Sequence, residues 1–194
     1  ETWIRGIEFV PDNEELVHHV VLFTDPTRAS LGLMGEDGTY SCFGSAGVPG
    51  TVAAAWAPGV PPMNFPDDMA TRISAGTVFV MQMHYSPQGG AGNLSDKTKL
   101  RFKYAQTAPR FEVATQLMGN FDFSAHPGLG LVTEEDDGEL PNFMIPAGAT
   151  QHRETSRWTY TGTLPGSGDG GTSGLGELKL LGLSPHMHYA GVDM

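Results

Sequence analysis

Thr77-Val78-Phe79-Val80-Met81-Gln82-Met83-His84-Tyr85 decides the fold class of this chain. Its β-branched and aromatic content, and the turn-forming Gln88-Gly89-Gly90-Ala91-Gly92 that follows, mark it as a strand. Working outward, strand-like stretches recur at 3–10, 17–23, 51–56, 99–105 and 111–118, and in the same style at 142–145, 156–161 and 177–183. Between them lie Asp25-Pro26, Pro49-Gly50 and Pro58-Gly59, all of which favour turns. The 26 Gly and 14 Pro are spread among short apolar runs, and no long window sustains a period of 3.6 residues. The chain is therefore expected to be all-β, a sandwich or barrel of short strands.

A chain of 194 residues forms one large β domain or two small ones, and either can bury a core without disulfides. Ala108-Pro109 follows a charged strand and precedes an apolar one, which places the expected boundary between domains at 1–109 and 110–194. The acidic run 134–139 and the glycine-rich 165–176 read as loops. A formal net charge of -11, with no Lys/Arg cluster, argues against nucleic acid and anionic lipid surfaces as partners. The longest apolar stretches, 52–57 and 77–83, fall far short of the ~20 residues that span a bilayer, so no membrane span is expected. The single cysteine, Cys42, has no partner for an intrachain disulfide and reads as a small buried apolar residue. Glu1 carries no initiator Met or signal peptide and Met194 closely follows a histidine motif, so the chain reads as cut at both ends.

Five of the seven histidines, His18, His19, His84, His186 and His188, sit in or beside expected strands. Neutral imidazole is a metal ligand, its ordinary pKa of about 6.5 keeps it largely neutral at physiological pH, and a strand fixes its direction. His186 and His188 are two residues apart, so on an extended strand they share a face. His18 and His19 are adjacent, and a regular strand sends neighbours to opposite faces. Their joint use requires a twist, a bulge or a strand end. His84 lies in an apolar strand, where an unpartnered polar group is costly.

The missing motifs narrow the metal. There is no His-Glu-x-x-His helix and no cysteine pair, which removes the common zinc patterns, and no Asp/Glu cluster accompanies the histidines as calcium or magnesium would need. Imidazole-rich sites without thiolate suit copper, zinc or nickel. Ser-x-x-Lys, Gly-x-Ser-x-Gly and a phosphate-binding glycine loop before a helix are also missing.

Taken in order, Val17-His18-His19-Val20-Val21-Leu22-Phe23, Ala54-Ala55-Trp56-Ala57-Pro58-Gly59, Val80-Met81-Gln82-Met83-His84-Tyr85 and His186-Met187-His188 resemble the copper type II, ascorbate-dependent monooxygenases. Peptidylglycine α-hydroxylating monooxygenase and dopamine β-monooxygenase are the familiar members of that family. The resemblance runs from Ile4 to Tyr189, more weakly at Ile145-Pro146-Ala147-Gly148. It implies two jelly-roll-like β-sandwich domains facing each other across a water-filled cleft, one copper on each, the second domain being incomplete in this chain. His18, His19 and His84 match the family's electron-transferring copper site. His186 and His188 match two ligands of the dioxygen-binding copper, which a methionine further along completes in the family.

The resemblance further implies hydroxylation of a C–H bond of a small-molecule substrate by dioxygen, with ascorbate or another one-electron donor reducing two coppers. It also implies a secreted protein, in an extracellular, periplasmic or lumenal compartment. Gln82, two residues before His84 and on the same strand face, matches a glutamine near the inter-copper cleft; a polar side chain on the wet face of a sandwich is the plainer reading. The chain departs from the family where it ends shortly after His188, since Met187 points away from the face of His186 and His188, and Met194 is too close in sequence. Ser184 stands where peptide-amidating members carry an arginine, so a peptide with a free terminal glycine is not the expected substrate. With Cys42 alone, the disulfides of the animal members cannot form. Two other readings remain open: a non-catalytic copper-binding sandwich for electron transfer or metal binding, and an interaction module whose histidines are structural.

Overall fold

A computed structural model describes residues 1–42, 44–86, 95–115, 132–133, 147–152, 156–157 and 178–183. The described residues are all-β apart from one turn of 3-10 helix at Ala29–Gly32. The strands are β1 (Thr2–Val10), β2 (Val17–Asp25), β3 (Thr51–Trp56), β4 (Met63–Asn64), β5 (Met69–Ile73), β6 (Val78–Tyr85), β7 (Lys99–Tyr104), β8 (Phe111–Glu112), β9 (Val132–Thr133) and β10 (Ser156–Arg157).

Two sheets form the sandwich. In the three-stranded sheet β2 is central, with β3 and β6 antiparallel on its two sides. The five-stranded sheet is built on β1. Strands β4 and β5 pair with successive parts of one side of β1, β7 pairs with the other side, and β8 joins β5 in parallel. Strands β9 and β10 pair with each other.

Alternation along the strands builds the core. On β2, Val17, Val20 and Leu22 face inward; on β1, Ile4, Ile7 and Phe9 do so. The spacing from Ile4 to Ile7 is odd, and a register shift between Ile4 and Gly6 against β7 absorbs the extra residue as a bulge. Ala54, Trp56 and Ile73 complete the buried set, with Phe79, Met81, Met83, Leu100 and Phe102 packed against it. Phe79 and Phe102, from opposite sheets, bring their rings to 4.9 Å. Fully buried apolar side chains such as Ile4, Val17, Val20 and Leu22 contribute about 1.5–3 kcal/mol each.

A second, smaller cluster lies on the outer face of the three-stranded sheet. Phe23, Val80 and Ala46 are buried there among Val21, Tyr40, Val48 and Val52. The segment before β3 folds back over that face, and within it the Tyr40 hydroxyl donates to the Ala46 carbonyl at 2.6 Å. It also needs Gly50, because a Cβ at that position would lie 2.1 Å from the Thr24 carbonyl oxygen.

Several sequence expectations change on folding. Strands β4 and β5 were not expected, since Met69-Ala70-Thr71-Arg72-Ile73 has a single β-branched pair and takes its strand form from pairing with β1. The stretch 178–183 is not a strand despite its four leucines. The strand expected at 111–118 is limited to Phe111–Glu112 within its described part, and that expected at 142–145 lies outside the described residues. Cys42 is half-buried rather than buried.

Candidate metal centre

His18 and His19 open β2, and His84 lies near the end of β6, directly opposite His19. The pairing of β2 with β6 shifts register between Val17, opposite Tyr85, and His19, opposite His84. His18 is the extra residue of this bulge. Val17 therefore stays in the core while His18 and His19 both turn to the outer face, the condition their adjacency demanded.

The three imidazoles converge. Ring centroids lie 5.2 Å apart for His18 and His19, 5.0 Å for His18 and His84, and 4.5 Å for His19 and His84. The rings are tilted or edge-on to one another rather than stacked. The Nδ1 atoms of His18 and His19 are 3.0 Å apart. One can donate to the other, and when both rings carry their proton on Nε2 the two lone pairs face a common point.

Ligand atoms from the three rings all lie within 4.8 Å of one another, and the group contains no carboxylate or thiolate. Nitrogens sharing one ion at about 2.0–2.1 Å each are at most about 4 Å apart. The His18–His19 pair is already within that limit, and the third ring needs only a small rotation. His18 and His84 are exposed and His19 is half-buried, so the cluster opens to the surface. Met81 and Met83 pack against the core, on the face of β6 away from His84, so neither offers its thioether to the cluster.

Gln82 occupies the same outer face as His84, opposite Val21. Its amide donates to Cys42 Sγ at 3.2 Å and to the Ser45 carbonyl at 3.0 Å. Gln82 is thus the border between the open histidine end of the face and the end roofed by the segment before β3. Nothing in the local sequence around Cys42 signals this contact, which spans some forty positions.

The frame of the site is closed by Asp96. Its Oδ1 accepts the Asp12 and Asn13 amides, each at 3.2 Å, and its Oδ2 accepts the Thr98 amide at 3.1 Å and the Tyr85 hydroxyl at 3.3 Å. Burial would raise the Asp96 pKa, but hydrogen bonds from Thr98, Asn13 and Asp12 outweigh it and hold the carboxyl below its ordinary value. Tyr85 shifts upward, through burial first and then the neighbouring Asp96 charge.

Of the residues expected to bind metal, His18, His19 and His84 come together, and His186 and His188 lie outside the described residues. No protein-family model, no curated protein and no solved structure matches this chain.

Proposed function

We propose that this chain binds copper through His18, His19 and His84, and that the site serves one-electron transfer within a copper-dependent monooxygenase. The observation that carries the reading is the convergence of three imidazoles on one face through the His18 bulge. A donor set of imidazoles without thiolate or carboxylate suits copper, zinc or nickel, and the ordered motifs resembling the ascorbate-dependent monooxygenases select copper. Copper would supply one-electron chemistry. The protein's own part is to hold three neutral rings in fixed directions on rigid strands, at a surface that a small reductant such as ascorbate can reach.

In that reading His186 and His188 hold a second copper, and the substrate is a small molecule whose C–H bond is hydroxylated with dioxygen. Gln82 then lies beside the first site, fixing the roof of the adjoining surface. The second reading is a non-catalytic copper-binding sandwich. It is favoured by the fact that two neighbouring strands supply the whole three-histidine site.

Copper titration of the metal-free protein, followed by electron paramagnetic resonance, tests the site. The expected result is a nitrogen-ligated Cu(II) signal, with His84→Ala losing one metal equivalent. Metal content unchanged in that variant would leave the histidines structural. Ascorbate-dependent oxygen uptake tied to substrate separates the monooxygenase from the carrier.

A further inference from the structure

We propose that Asp96 is a positioning residue for the three-histidine site, pinning with one carboxylate the turn that delivers His18 and His19 and the strand end that delivers His84. The inference deepens the copper reading and rests on it. Its basis is the placement of four hydrogen bonds. Two come from the amides of Asp12 and Asn13, in the turn that carries the chain from β1 to β2. One comes from the Thr98 amide just before β7, and one from Tyr85, the residue after His84. Both sheets and the turn between them are thus tied at one point.

That point sits where the site needs it. A bulge holds its extra residue outward only while the pairing on each side is fixed. On the core side of His18 the fixing contacts are the Val17–Tyr85 pair and the Ser86 amide donating to the Leu16 carbonyl at 2.9 Å. Leu16 and Val17 are in turn held by the Asn13 carbonyl, at 3.1 and 3.0 Å, and Leu16 also by the Asn13 side chain at 3.2 Å. Asp96 holds the amide of Asn13 itself, and the ring of Tyr85 at the other side of the same pair. Without it the turn and the strand end keep only the Val17–Tyr85 pair and the Ser86–Leu16 hydrogen bond between them, and the exposed His18 is held less firmly in its direction. A ligand set held in place before the ion arrives gives tighter binding; partners bonded directly to ligands are worth about 10–100-fold in affinity, and Asp96 acts one step further out, through the backbone that carries them.

The test compares the whole wild-type chain with Asp96→Ala, Asp96→Asn and Asp25→Asn. The last variant loosens the far end of β2 and controls for general destabilisation. Cu(II) affinity is measured by calorimetry and the ligand field by electron paramagnetic resonance. Ring-to-ring nuclear Overhauser effects among His18, His19 and His84 are measured without metal. The expected result is a loss of up to about 10-fold in affinity, the low end for directly bonded partners, with an altered Cu(II) spectrum and weakened ring contacts in Asp96→Ala. Asp96→Asn, which keeps one acceptor oxygen, falls between, and Asp25→Asn matches wild type in all three. Should Asp96→Ala not fold, Asp96→Asn carries the comparison alone. Wild-type affinity, spectrum and ring contacts in Asp96→Asn and Asp96→Ala overturn the proposal. Wild-type protein that takes up no copper overturns the metal reading alone, and the ring contacts then decide the role of Asp96.

Discussion

Two aspartates hold opposite ends of the same sheet. Asp25 is fully buried at the end of β2, where its carboxylate accepts the Thr27 hydroxyl at 2.6 Å and the Ser30 amide at 2.8 Å. Burial alone would raise its pKa, but hydrogen bonds from Thr27, Ser30 and Arg28 carry it well below the carboxylate range. The folded pKa is therefore lower than the unfolded value of about 3.9, so the stability contributed is present above pH ~4 and is lost as pH falls toward the folded value. Asp25→Asn should cost about 1.5–3 kcal/mol at pH 7, with the difference from wild type shrinking below pH ~4. Urea unfolding at pH 7 and pH 3 measures it, and an equal difference at both pH values would contradict the assignment. Asp96 is shifted in the same direction, so both groups favour the fold at neutral pH over acid.

At the scale of elements, the bulge in β2 lets an ordinary strand present two adjacent imidazoles on one face. Deleting His18 would place His19 next to Val17, opposite the consecutive His84 and Tyr85, and the regular pairing would close without a gap. We expect that deletion to leave the melting temperature within a few degrees of wild type, while the proposed metal site loses both one of its three imidazoles and the geometry of the pair. Circular dichroism melting and copper titration check the two halves of this prediction, and a deletion that still binds copper with wild-type affinity would contradict it. Folding also gathers charge on β7, where Lys99, Arg101 and Lys103 alternate with Leu100 and Phe102. Arg101 is paired with Glu8 at 3.1 Å and Lys103 bonds to Asn64 at 3.2 Å. On a strand that pairs with β1, such cations discourage edge-to-edge association rather than mark a polyanion site.

Across the whole molecule, one core serves both sheets, and Leu22 lies fully buried in it. Leu22→Ala should cost about 2–5 kcal/mol, read as a shift in the denaturant midpoint, because the strand neighbours that surround it cannot collapse into the space. Since Leu22 and His19 leave β2 on opposite faces, copper affinity of the folded fraction should change little. The outer face of the three-stranded sheet is divided instead, half roofed by the segment held through Tyr40, Gln82 and Ala46, half open at the histidines. The main core and the histidine cluster therefore lie on opposite faces of the same strands.

Local composition alone determined the strand class, the positions of β1, β2, β3, β6 and β7, and the turns at Asp25-Pro26 and Pro58-Gly59. Alternation and turn chemistry act over a few residues, so they are readable without the fold. His18, His19 and His84 were legible as metal-ligand candidates in the same way, because imidazoles placed in strands stand out in the sequence itself. Tertiary pairing alone decided that His18 and His19 share a face, since a bulge is a mismatch between two strands and neither strand encodes it alone. The same holds for β5, made a strand by β1, and for Gln82 and Asp96, whose partners lie 37 to 84 positions away in sequence for the contacts to Ser45, Cys42, Asn13 and Asp12. Contacts of that range depend on where the whole chain is brought together, and no window of sequence contains them.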